Sequence, residues 1–156
     1  RERLARACVS GDLASRPWGA LLDQARAHGE TAAAAVVERV NGEADYLPDR
    51  DARRVRREGE VEAKRIDRRA RAARLDWGLL LAALWLRDVG CLLDGAPDLV
   101  HNADRTAELE ADAQEVGTSA RAREAVALVD EARTTLILNP TEELALEALA
   151  SRVERA

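Results

Sequence analysis

Apolar residues recur along the chain at every third or fourth position, which is the spacing of one face of an α-helix rather than of a β-strand. Glycine, proline and N-cap residues interrupt this spacing and mark where helices begin and end. The segments that the pattern predicts as helical are 2–10, 15–29, 30–44, 49–94, 102–116, 118–138 and 139–153. β-Branched and aromatic residues, which favour strands, are scarce. We therefore predict an all-α fold, a bundle of about six to eight helices that includes one long, partly solvated basic helix.

The helices are predicted to form a single domain over residues 1–156, a length that can bury a sizeable core. Residues 1–47 are a helical lead-in, 49–94 form the long helix region, and 102–156 contribute the C-terminal helices. The sequence contains no methionine, not even a starting one. We therefore expect the chain to be a fragment of a longer parent.

The segment 77–93 is apolar on almost every side of the helix, which predicts that it is buried on every side. We expect Trp77 and Trp85 at the centre of the core. Arg87 and Asp88 interrupt the same segment, and buried charges must be paired. We interpret them as an internal ion pair that fixes how helices dock, and a polar contact across a subunit interface is the less favoured alternative.

Charge is distributed unevenly along the chain. Residues 50–74 contain eleven Arg or Lys and five Asp or Glu, a local charge of +6 in a chain whose net charge is −5. This segment could be a solvated helix, a helix that faces a protein partner, or a nucleic-acid contact. Its basic residues are interleaved with acidic ones, and no aromatic residue lies among them for base stacking. Direct DNA contact is therefore possible but is not the favoured interpretation.

Signals for catalysis are poor. The chain has no phosphate-binding loop, no dinucleotide fingerprint, and no metalloprotease or serine-hydrolase motif. His28 and His101 have no partner in sequence that would orient either one as a general base. Cys8 and Cys91 are too far apart for a C-x-x-C metal site, and we interpret them as buried, reduced thiols of a cytoplasmic protein. We predict no catalytic residue, cofactor, metal site or membrane span in this chain.

Three short elements follow one another in an order that resembles a known family. They are Trp-Leu-Arg-Asp at 85–88, a loop with Asn102 and Asp104, and Asn139 five residues before Leu-Ala-Leu-Glu-Ala-Leu at 144–149. This order and spacing resembles the C-terminal domain of bacterial DNA polymerase III delta prime subunits, which belong to the clamp loader. The specific part covers about residues 72–153. Thr141 stands where the family commonly has a second asparagine, and Pro140 replaces a small apolar residue.

The resemblance implies a role in DNA replication in which this domain makes and breaks no bonds. In that family the C-terminal domains of five subunits form a helical collar, which holds together the ATPase modules that open the sliding clamp and place it on primed DNA. The implied partners are the other clamp loader subunits, of delta and gamma/tau type. The family's zinc-binding cysteines and nucleotide-binding-like fold belong to N-terminal modules. The candidate interface or structural residues are Trp85, Arg87, Asp88, Asn139, Leu144, Glu147 and Leu149.

Two other interpretations stay open. The related gamma/tau subunit has a similar collar domain, so the chain could belong to that subunit instead. It could also be a helical protein-interaction module with no connection to replication.

Overall fold

A computed structural model describes residues 6, 16–137 and 141–153 of the chain. The predicted all-α class is confirmed, because this part of the chain contains α-helices and no β-strand. The five α-helices are α1 (Gly19–Ala44), α2 (Asp49–Leu93), α3 (Thr106–Val116), α4 (Ser119–Ile137) and α5 (Glu142–Val153), and two short 3₁₀ helices cover Pro97–Leu99 and Ala103–Arg105. The number of α-helices in the described part is slightly below the predicted six to eight.

One reason for the lower number is that the predicted helices 15–29 and 30–44 form a single helix, α1. Gly29, which was expected to end the first of them, is buried in the helix interior. There its missing side chain lets α2 approach so closely that a methyl group on Gly29 would lie 2.9 Å from the backbone oxygen of Asp67. The prediction of a break at Gly29 was therefore wrong. The predicted helix 2–10 lies outside the described residues except for Arg6, which is helical.

Several helix ends follow the local signals in the sequence. The turn that ends at Pro48 separates α1 from α2, and Gly117 ends α3 with a φ of +75°, a conformation that favours glycine. The hydroxyl of Thr118 accepts a hydrogen bond from the backbone N–H of Arg121 at 3.3 Å, as an N-cap of α4 should. The first two residues of the predicted helix 139–153 lie outside the described residues.

The chain divides into two compact units, and the dividing points fall inside α1 and α2. We call residues 23–75 the hairpin unit, and residues 1–22 together with 76–156 the bundle unit. This division does not test whether the two units belong to a single domain, which stays a prediction.

The hairpin unit is a pair of antiparallel helices joined by a tight turn. Polar contacts bridge the helices along the unit: Arg74 donates to Gln24 at 2.8 Å, Arg39 donates to Glu62 at 3.0 Å, and Arg56 donates to Asp45 at 3.0 Å. Small residues fill the space between the helices. The buried or half-buried positions include Ala25, Gly29, Ala33, Val36, Val40 and Ala44 of α1, and Ala52, Val55, Gly59, Ala63, Ile66 and Ala70 of α2.

These positions, which we call the seam, repeat at a fixed interval of eleven residues. In α1 the interval links Ala25 to Val36, Gly29 to Val40 and Ala33 to Ala44, and in α2 it links Ala52 to Ala63, Val55 to Ile66 and Gly59 to Ala70. An eleven-residue repeat corresponds to about 3.67 residues per turn, close to the value of about 3.6 for a straight α-helix. The seam therefore stays on one side of each helix along the unit.

The bundle unit has a core of Leu, Val, Ala and Trp side chains. Its buried members include Trp18, Leu21, Leu22, Leu79, Ala82, Trp85, Leu86, Val89, Leu109, Val116, Ala125, Val129, Leu136, Leu146, Leu149 and Val153. The prediction for the two tryptophans of α2 was half right, since Trp85 is buried whereas Trp77 is 59% exposed. Because 77–93 is apolar on almost every side, its pattern could not show which side faces outward.

Candidate functional site

The bundle unit contains a fully buried carboxylate, that of Asp88 on α2, whose exposed fraction is 0%. Oδ2 accepts hydrogen bonds from the backbone N–H of His101 at 3.1 Å, from the backbone N–H of Asn102 at 2.9 Å and from the Asn102 side-chain amide at 2.7 Å. Oδ1 accepts from Nη1 of Arg87 at 3.0 Å. We call Arg87, Asp88, Leu99, His101 and Asn102 the Asp88 cluster.

The cluster fastens the loop between α2 and α3 onto the buried face of α2. Arg87 is half-buried, and its Nη1 also donates to the backbone oxygen of Leu99 at 3.1 Å and contacts Nδ1 of His101. Asn102 immediately precedes the 3₁₀ helix that leads into α3. A buried carboxylate needs such donors, because leaving it unpaired would cost several kcal/mol. Loop and helix therefore satisfy each other's polar groups.

The pKa of Asp88 reflects this arrangement. Burial is the largest single influence and by itself would raise the pKa. The hydrogen bonds from the Asn102 backbone, the His101 backbone and the Asn102 side chain, together with the charge of Arg87, outweigh burial and hold the pKa of Asp88 below its ordinary value of 3.8. Asp88 is therefore ionised at neutral pH, and both of its oxygens accept hydrogen bonds. This arrangement is typical of a structural carboxylate and not of a general base.

A second buried carboxylate, Asp112 of α3, was not predicted as a site residue. It is 1% exposed, and it accepts hydrogen bonds from Nε1 of Trp85 at 2.7 Å and from Nε of Arg6 at 3.1 Å. In the sequence it is one of many acidic residues, and nothing about its residue type distinguishes it from those on the surface. The signal that could have revealed it is its position one residue before Ala113 and three after Leu109, which places it beside the buried face of α3.

We expect Trp85→Phe to destabilise the bundle unit by about 1.5 kcal/mol, since a hydrogen bond to a buried charged group contributes about that much. Asp112→Asn should reduce the cost of the tryptophan change, because the charged acceptor is then already absent. Urea unfolding of the two single variants and the double variant measures this coupling. Strictly additive free energies of unfolding would show that the 2.7 Å contact contributes nothing.

The C-terminal residues predicted as one site lie in different surroundings. Leu149 is a core residue, 4% exposed, whereas Leu144 projects from α5 with 62% exposure. Glu147 is exposed and accepts from Arg16 at 3.2 Å, and Arg16 also pairs with Glu143. Asn139 lies outside the described residues. The structure therefore joins Arg87 to Asp88, buries Trp85 and Leu149, and leaves Leu144 and Glu147 on the surface.

The remaining candidates for chemistry are isolated. Cys91 is half-buried rather than buried as predicted, and Cys8 lies outside the described residues. Among residue 6 and the ranges 16–137 and 141–153, no group of three or more His, Cys, Asp or Glu side chains could hold a metal ion. Within the same residues, no helix combines the length and the apolar character needed to cross a membrane.

We compared the chain with protein-family models, with curated proteins and with solved structures, and none of the three comparisons gave a match. The chain has an all-α fold, and its buried charged groups form hydrogen bonds within the chain.

Proposed function

We propose that the chain is the collar domain of a DNA polymerase III clamp loader subunit of delta prime type, and that it works by binding its neighbours in the loader. The sequence resemblance is the basis of this proposal. One structural observation supports it: two separate elements of the resemblance, Arg-Asp at 87–88 and Asn102, meet in the Asp88 cluster, where Asn102 donates twice to one carboxylate oxygen.

The proposed work is assembly. Binding energy in such a domain comes from apolar side chains that a partner covers, surrounded by polar contacts. In the bundle unit the large exposed apolar side chains include Leu144, Leu99 and Trp77, each more than half exposed. Leu144 is the candidate that the resemblance and the exposure both indicate, because it belongs to the Leu-Ala-Leu-Glu-Ala-Leu element.

The proposal assigns the remaining functions to other modules of the parent. Nucleotide and zinc binding would belong to N-terminal modules, the partners would be loader subunits of delta and gamma/tau type, and the complex would act in the cytoplasm. The gamma/tau collar is the first alternative, and a helical interaction module unrelated to replication is the second.

Co-purification of the full-length parent with the other loader subunits tests the proposal. We expect the parent to enter the complex, and an N-terminal clamp-loader fold with a degenerate phosphate loop to identify the delta prime type. An intact phosphate loop would favour gamma/tau. Failure to co-assemble, or a parent without such a fold, would contradict the proposal.

For the interface itself, we expect Leu144→Asp in the full-length parent to weaken assembly by about tenfold or more, because a buried apolar contact would be replaced by a desolvated charge. Leu47→Asp is the matched control, since Leu47 is also exposed but lies in the turn of the hairpin unit. Binding measured by surface plasmon resonance should separate the two variants. Equal affinities would exclude Leu144 from the interface.

A further inference from the structure

The basic and acidic residues of α2, which alternate in the sequence, lie mostly on different sides of the helix. With successive residues about 100° apart around an α-helix, eight basic residues fall in one sector about 120° wide, opposite the seam. Arg71, at the edge of this sector, is half-buried, and the other seven are exposed. These seven residues, which we call the basic face, are Arg50, Arg53, Arg54, Arg57, Lys64, Arg65 and Arg68. The acidic residues that alternate with them in sequence fall outside this sector.

Some acids near the basic segment pair with residues outside the basic face. Glu62 and Asp45 accept hydrogen bonds from Arg39 and Arg56, which hold the two helices of the hairpin unit together. Asp67 lies 3.8 Å from the guanidinium of Arg71. At the edge of the basic face, Arg54 remains 70% exposed and lies 3.9 Å from Asp51, the limit of an ion pair. Glu62 and Asp67 therefore neutralise the sides of α2, whereas Glu58 and Glu60 are exposed and lie about 20° beyond the edges of the basic face.

We propose that the basic face binds the phosphate backbone of double-stranded DNA. From residue 50 to residue 68 it extends about 27 Å along the helix axis, which corresponds to roughly eight base pairs at about 3.4 Å per pair. Six of its seven charges are arginines, whose planar guanidinium groups donate two hydrogen bonds at once to a phosphate. This inference does not depend on the proposed role in assembly.

The chemistry of the face distinguishes DNA duplex from other anionic partners. Single strands are held by aromatic side chains on which bases stack, and residues 50–74 contain none. Membrane-surface helices insert an apolar side into lipid, but the apolar side of this helix is the seam, which packs within the hairpin unit. Val61 is the one large apolar residue within the face.

Binding of the 156-residue chain to a fluorescein-labelled 30-base-pair duplex of mixed sequence tests the proposal by anisotropy. If about five of the seven basic residues contact phosphates, the logarithm of affinity should fall with the logarithm of salt concentration with a slope of about −4.5. Affinity should then drop roughly 500-fold between 50 and 200 mM salt. No binding at 50 mM salt, or binding independent of salt, would overturn the proposal.

A pair of variants with equal net charge locates the contact. Arg57→Gln together with Arg65→Gln removes two charges from the face, whereas Arg69→Gln together with Arg121→Gln removes two from exposed helix positions outside it. At 100 mM salt the first double variant should bind about 60-fold more weakly, with a slope smaller by about 1.8, and the second should change affinity less than threefold. Equal losses would refute the assignment.

Two further probes address the other anionic partners. Poly-glutamate represents an acidic protein segment, and vesicles with 30% phosphatidylserine represent an anionic membrane. Tighter binding of the chain to either probe than to the duplex at equal salt would overturn the proposal in favour of that partner. Circular dichroism of every variant shows whether it is folded, and the salt dependence of the unaltered chain tests the proposal without any substitution.

Discussion

Asp88→Ala should destabilise the bundle unit by about 3 kcal/mol, because it leaves the donors of His101 and Asn102 without their buried acceptor. All three tryptophans belong to the bundle unit, since Trp18 precedes residue 23 and the other two follow residue 75. Urea unfolding followed by tryptophan fluorescence therefore reports on this unit specifically. Loss of protection of the loop amides in hydrogen exchange should accompany the change.

The control for this substitution is Asp94→Ala, which removes an exposed carboxylate that pairs with Arg123 at 2.9 Å. An exposed ion pair contributes about 0.5 kcal/mol, so the transition should hardly move. If Asp88→Ala shifted the urea midpoint as little as the control does, the description of the Asp88 cluster would be contradicted.

The contribution of Asp88 should also depend on pH in a defined direction. Because its pKa is lowered on folding, its ionisation stabilises the folded state fully above the ordinary value of 3.8, and this contribution is lost as the pH falls below that value. Asp88→Asn cannot titrate. The stability difference between the unaltered chain and this variant should therefore be constant from pH 5 to pH 7 and shrink below about pH 4. A difference that widens on acidification would show that the pKa is raised instead.

Gly29→Ala should destabilise the hairpin unit by about 2 kcal/mol, although alanine in a helix interior is intrinsically better than glycine by about 1 kcal/mol. The added methyl group would overlap Oδ1 of Asp67, lie 2.6 Å from Cγ of Arg71, and lie 2.9 Å from the backbone oxygen of Asp67. Since the backbone cannot rotate away, the two helices must separate. Hydrogen exchange of residues 23–75 measures the loss.

Gly42→Ala is the matched control, because Gly42 lies in the same helix and nothing lies within 4 Å of its methyl position. Here the helix propensity should dominate and raise the stability by about 0.5–1 kcal/mol. The two substitutions should thus have opposite signs. Stabilisation by Gly29→Ala would contradict the close approach of α1 and α2.

The sequence predicted those parts of the fold that depend on local chemistry. Gly117 ends α3 and Thr118 caps α4, since a left-handed glycine and a capping hydroxyl act on their own backbone neighbours. The continuity of α1 could not be predicted, because glycine at position 29 is unfavourable to a helix by itself and is required only by the proximity of α2. The exposed side of Trp77 depends likewise on which neighbours surround it.

The candidate site was predicted in part for a related reason. Arg87 and Asp88 stood out as charges in an apolar segment, but two of the four donors that hold Asp88 are backbone N–H groups thirteen and fourteen residues away. Every residue except proline has such a donor, so no residue type marks the partner in advance. For the basic face the residues themselves were evident in the sequence. Their separation from the acidic residues becomes visible only when their angular positions around the helix are considered.

The eleven-residue repeat of the seam limits how the hairpin can change length during evolution. A single inserted residue in α2 would rotate every later position by about 100°, moving Ala63 out of the seam and the later arginines off the basic face. Eleven inserted residues complete about three full turns and seven complete about two, and both preserve the two surfaces to within about 20°. Because the two helices run antiparallel, an insertion in one needs a matching insertion in the other. Hairpins related to this one should therefore differ in length by steps of about 14 or 22 residues, divided equally between the two helices.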